Sequence, residues 1–110
     1  MANAIYPLYM NGLMTGAANH DLDTDTTADG VYAALVDKDV YTYSSAHNFY
    51  SSISGAVIGT PVRLASPTIA VNVFDAADTT FSAVTGNSVE AIVIYRHNSG
   101  ANTTWPLIAY

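Results

Sequence analysis

From residue 56 to the end the chain is cut into short runs rich in Val, Ile and Thr, and the cuts are made by Gly, Asn and Asp. This punctuation constrains the fold more than any other feature, because runs of four to eight such residues between turn formers build strands. The strongest run is VEAIVIYR at 89–96. TIAVNVF at 68–74 places Ile69, Val71 and Val73 on one face and Ala70, Asn72 and Phe74 on the other. AVIGTPVRL is interrupted by Gly59 and Pro61, which predicts a bent or edge strand. The spacing further predicts turns at 75–78 and 85–87, a strand over TTFSAV at 79–84, and a loop at 97–102 before the closing WPLIAY.

The first half carries helical spacing as well. Ile5, Leu8, Tyr9 and Leu13 recur on one side, Pro7 suits a first turn and Gly16 a stop, so a short helix is predicted near 6–14. Ala46, Phe49, Tyr50 and Ile53 repeat the pattern behind Ser44 and Ser45, predicting a second helix near 46–54. VYAALV at 31–36 is apolar on both faces and reads as a buried central strand. Together these predict one domain over 1–110, mainly β, an antiparallel β-sandwich-like arrangement with one or two short helices.

Charge excludes several functions. Charged residues make up 11% of the chain and net charge is −6. The basic residues Lys38, Arg63 and Arg96 are too few to neutralise a phosphate backbone, so nucleic acid is not an expected partner, and the acidic balance disfavours anionic membranes. No stretch reaches the roughly 18 apolar residues of a membrane helix, and the N-terminal segment lacks the basic region of a secretory signal. With no cysteine, disulfides and thiolate metal sites are excluded. A surface so poor in charge must be uncharged polar or covered. The 29 Ser, Thr and Asn residues supply the first, and eight tyrosines supply candidates for the second.

The acids cluster in DLDTDTTADG at 21–30. Asp21, Asp23 and Asp25 match the first three oxygen donors of a calcium loop, with Asp29 at the ninth position, but Thr26 stands where the sharp turn needs Gly and Tyr32 where the closing carboxylate belongs. The expectation is therefore a solvated acidic turn, with Asp21, Asp23, Asp25 and Asp29 as a weak calcium candidate and no cofactor. Catalytic constellations are absent from the pattern. His20, His47 and His97 show no metal-ligand spacing, GNSVE at 86–90 lacks the second Gly of a nucleophile elbow, and Asp75 and Asp78 suit a turn better than an acid–base pair. No enzymatic activity is expected.

The aromatic residues Tyr32, Tyr41, Tyr43, Phe49 and Tyr50 crowd the first half, and near Asn and Ser such rings could stack on sugars, which makes a glycan-binding module one alternative. The preferred reading is that rings fill core and subunit contacts. The interface candidates are Tyr41, Tyr43, Tyr50, Trp105, Leu107 and Tyr110. The apolar closing segment requires cover, either from the domain's own sheet or by strand addition to a neighbour.

YPLY at 6–9, ALVD at 34–37 with YTYSSAHNF at 41–49, VFDAADTTFSAVTG at 73–86, EAIVIY at 90–95 and LIAY at 107–110 together resemble a group of small tailed-bacteriophage virion proteins. The likeness spans nearly the whole chain, and departs from it at Ala33-Ala34, where a longer side chain is expected. The resemblance implies a virion structural protein without catalytic residues. Within a virion the expected role is a capsid decoration, or cement, protein that binds the major capsid protein and its own copies as a homotrimer on the capsid surface, after assembly in the host cytoplasm. A tail or head–tail connector component is the alternative.

Overall fold

Gly30–Val36 forms the first strand, β1, and its apolar character on both sides matches the burial of residues on both of its faces. The computed structural model, which describes residues 3–110, sets β1 between β2 (Val57–Arg63) and β5 (Ala91–His97). With β6 (Leu107–Ala109) this makes a four-stranded antiparallel sheet in the order β2-β1-β5-β6. A second, two-stranded sheet pairs β3 (Thr68–Ala70) with β4 (Val73–Asp75), and one helix, α1, spans Pro7–Thr15. The chain is thus mainly β and antiparallel, as its punctuation predicts.

Alternation along the strands assigns the two faces. Opposite Ala34 stands Val93 and opposite Tyr32 stands Tyr95, while Val36 faces Ala91. Over this inner face pack Tyr6 and Tyr9 with α1, Tyr41, Ile53, Ala56 and Leu107, forming one core. α1 starts on Pro7 and stops at Gly16, whose φ of 67° is left-handed backbone that Gly adopts without strain. The strand β2 bends where expected: Gly59 has φ 69° and the register to β1 shifts between Ala33 and Leu35, so Gly59 serves a bulge.

The closing segment is tied into the chain's own sheet. The backbone N–H of Tyr110 donates to Ala4 and that of Ala4 to Tyr110, both at 2.8 Å, and Tyr6 donates to Ile108. On the other side Leu107 donates to Asn48 and Tyr50 to Trp105. These bonds also explain why the second predicted helix does not form. Residues 46–54 hold only the 3₁₀ turn Tyr50–Ser52 and the start of another at Ser54–Ala56. Phe49 is drawn into a bridge with Pro106, and that tertiary pairing takes the backbone groups an α-helix would need.

Two strand expectations change. The run 68–74 is folded back on itself at Val71 and Asn72, whose φ values of 49° and 65° give a two-residue hairpin of the left-handed kind. The segment 79–84 is not a strand. Residues 76–90 form an irregular crossing whose Val84 and Gly86 lie beside Gly59 and Ile58 of β2.

Candidate functional site

The acidic segment is a clip and not merely a solvated turn. Arg96 of β5 is only 2% exposed, and its Nη2 lies 3.1 Å from both carboxylate oxygens of Asp21. Its Nε donates to the Asp21 carbonyl at 2.8 Å, and Asp29 stands 3.8 Å from Nη1. Asp25 pairs with Arg63 and accepts the backbone N–H of Ser66 at 3.1 Å. The hydroxyl of Thr24 and then the Arg96 guanidinium hold the Asp21 carboxyl below the usual carboxylate range, against the opposing effect of partial burial. Asp23 remains exposed. The carboxylates that a calcium loop would converge on one point are instead spent on two arginines contributed by the sheet, and Thr26 closes the turn by bonding Asp29.

The ring residues are mostly internal. Tyr41 and Leu107 are buried in the core, so these two interface candidates offer no surface. Burial raises the phenol of Tyr41, and its hydroxyl lies 2.8 Å from that of Tyr6 and 2.9 Å from Nδ1 of His47. Tyr43, Tyr50, Trp105 and Tyr110 are half-buried against the core. Tyr43 contacts Tyr6 and Tyr110, and Tyr50 contacts Tyr95 and Trp105, with the Trp105 indole N–H donating to the Gly100 carbonyl at 2.9 Å. These four keep part of their surface exposed. Tyr95 and Tyr6 are pushed far above the ordinary tyrosine value by burial, and Tyr9, also buried, up to about 12.

The exposed apolar surface is aliphatic. At the Leu35 end, the outer face of the sheet opens into a groove of about 770 Å³, lined chiefly by Ile5, Leu35, Ile92 and Ile94, with Lys38 and Glu90 also in its wall. At the other end the same face is closed, because Val31 and Arg96 lie under the acidic clip. A second exposed aliphatic group sits on the β3–β4 hairpin: Ile69 is 55% exposed, Val71 94% and Val73 60%. Ring composition drew attention away from these residues. The single face that alternation in 68–74 assigned to Ile69, Val71 and Val73 does not form, because the register pairs Ile69 with Phe74 and Ala70 with Val73 and turns Ile69 and Val73 to opposite sides of the ribbon.

Each histidine is engaged by a nearby group. His20 and His97 each donate Nδ1–H to a backbone carbonyl, of Ala18 and Ala28, while His47 meets Tyr41. Among the described residues the one trio of acids with ligand atoms within 4.8 Å of one another is Asp37, Asp39 and Glu90. Protein donors already occupy part of it: Asp37 accepts Asn87 Nδ2 and the Asp39 N–H, and Glu90 accepts the Lys38 N–H. Glu90 is thus a loop clasp at the start of β5. Comparison with protein-family models, with curated proteins and with solved structures finds no match to this chain.

Proposed function

We propose that this chain is a structural subunit of a tailed-bacteriophage virion, a capsid decoration protein that binds the major capsid protein and its own copies. The observation that carries the proposal is the uncovered aliphatic groove on the outer face of the sheet. Covering its half-exposed Ile5 and Ile92 is what would favour a contact there. The chain's charges support the same reading. Arg63 and Arg96 are consumed by Asp25, Asp21 and Asp29, which leaves Lys38 as the basic side chain outside ion pairs among the described residues. What remains for a partner is the aliphatic groove and uncharged polar surface, together with the exposed acids Asp23, Asp39, Asp75 and Asp78. Such a contact depends on shape and backbone hydrogen bonds more than on charge, and repetition over a shell multiplies weak contacts. The resemblance of VFDAADTTFSAVTG and EAIVIY to virion proteins supplies the biological setting.

The role is one of binding and not of catalysis. The test is to reconstruct purified particles that carry this chain by electron cryomicroscopy. Density for it on the outer capsid, with the Ile92 face turned toward capsid protein or a sister copy, is the expected result. Density at the tail or the portal would replace the decoration role by the connector role. Absence from purified particles would overturn the virion reading.

A further inference from the structure

Tyr6, Tyr41 and His47 form a row of three hydrogen-bonding groups that runs from the core to the loop after Tyr43. The two hydroxyl oxygens lie 2.8 Å apart, and Nδ1 of His47 lies 2.9 Å from that of Tyr41. Tyr6 is fully buried and Tyr41 is 4% exposed, which leaves water no ready approach to their hydroxyls. Rings close the row in: Tyr43 packs on Tyr6, and Tyr110 packs on both Tyr41 and Tyr43. Two contacts have room for two protons. A bare Nδ1 satisfies this count, with Tyr6 donating to Tyr41 and Tyr41 donating to His47. A proton on Nδ1 makes three donors for two contacts, and one buried hydroxyl proton is then left without an acceptor. The Ser44 backbone acts on Tyr41 as a further donor and does not relieve the excess.

We infer that His47 is an acid-sensitive latch. Neutral, with its proton on Nε2, it holds the segment 41–50 to the core; protonated at Nδ1, it breaks the row of bonds and loosens that segment. The latch stands on hydrogen-bond geometry and is independent of the virion role. Histidine is the side chain whose charge changes between about pH 5 and 8, which sets the window. The other two histidines lack this property. His20 and His97 donate Nδ1–H to the carbonyls of Ala18 and Ala28, and such bonds survive protonation because the carbonyl accepts from either form of the ring. The groups that act electrostatically on Tyr6 and Tyr41 include Tyr43, on the same segment, and Tyr110, at the end of the sheet. Both are phenols, so neither brings a carboxylate to offset an imidazolium charge. The segment also has leverage on the sheet. Asn48 accepts the Leu107 N–H at 2.8 Å, and the Tyr50 N–H donates to Trp105 at 2.9 Å, so loosening reaches β6.

The test is nuclear magnetic resonance of the nitrogen-labelled full chain. Above about pH 8, the imidazole nitrogen shifts should place the proton of His47 on Nε2. On acidification through the histidine window, the amides of Leu107 and Tyr50 should lose protection against hydrogen exchange by at least about fivefold after correction for the intrinsic rate, the effect of one stranded hydroxyl. His47→Asn offers an amide oxygen near the place of Nδ1 and does not titrate, so its protection should stay level over the same range. A proton on Nδ1 of neutral His47, unchanged protection in the wild type, or an equal loss in His47→Asn would each overturn the inference. Should His47→Asn fail to fold, Tyr41→Phe takes its place. It keeps the ring in the core and removes the middle of the row, so a pH dependence that survives in it would overturn the inference as well.

Discussion

Asp21 and Arg96, 75 positions apart, meet with both carboxylate oxygens 3.1 Å from a single guanidinium nitrogen. The arginine is almost wholly buried, whereas the aspartate side chain is 44% exposed. The pair therefore closes one end of the sheet's outer face with a group from each environment. Its two halves are unequal. Removing the carboxylate leaves the buried cation only Asp29 at 3.8 Å and the carbonyls of residues 21 and 97, while removing the cation leaves a carboxylate that water reaches. Asp21→Ala is accordingly expected to lower stability by about 2 kcal/mol, read from urea melts. Arg96→Met, which keeps the apolar stem, should cost less than Asp21→Ala in the same assay.

Acid should loosen the same clip. The folded-state pKa of Asp21 lies below its unfolded value, so the folded chain binds the proton less readily than the unfolded chain. The stability this contributes is complete above the ordinary carboxylate value of about 4 and is lost as pH falls through the folded value. The melting midpoint should drop in that acidic window for the wild type. For Asp21→Ala the drop should be shallower, so the gap between the two narrows as pH falls.

Alkaline titration should show the opposite sign. Tyr6, Tyr9 and Tyr95 have folded values raised by burial, Tyr9 to about 12. Their contribution is complete below the ordinary tyrosine value of about 10 and disappears as pH rises through the folded values. In ultraviolet titration of phenolate, Tyr6, Tyr9 and Tyr95 are expected to ionise only together with loss of the fold, seen by circular dichroism.

At the hairpin tip, Val71→Asn, which tolerates left-handed backbone, is expected to raise stability by about 1 kcal/mol, read from urea melts. Gly59→Ala tests the same physics with the opposite sign, since its φ of 69° suits Gly, and a loss of about 1 kcal/mol is expected.

Attachment to particles is expected to survive high salt, because aliphatic and backbone contacts are not screened as ion pairs are. Washing particles over a salt series and quantifying the retained chain by mass spectrometry checks this. Release at moderate salt would show that Lys38 and the acidic residues carry the attachment.

Local signals were legible in the sequence wherever a residue's own backbone preference decides the structure. Pro7 and Gly16 bracket α1, Gly59 marks the bend of β2, and the run around Ile92–Tyr95 forms β5. What stayed hidden depends on partners far along the chain. The acidic turn looked solvated because its arginines, Arg63 and Arg96, lie 38 and 75 positions away. The spacing of Ala46, Phe49, Tyr50 and Ile53 was truly helical, but pairing with Trp105 and Pro106 claimed that backbone. At the Val71-Asn72 hairpin only Asn72 has the preference for left-handed backbone, and Val71 beside it disguised the turn as strand. Of the interface candidates, Tyr41 and Leu107 fill the core, and the large apolar side chains that stay exposed are not rings.

The pairing of β1 with β5 joins Val36 to Ala91 and Gly30 to His97. One edge of β1 is satisfied as soon as β2 has been made, but the other must wait while the whole stretch through residue 90 is synthesised. A nascent chain paused on the ribosome in that interval displays an open GVYAALV ladder to its neighbours. Slow translation or dense polysomes should therefore favour inclusion bodies, and cooler expression with dilute refolding should favour recovery of the native chain.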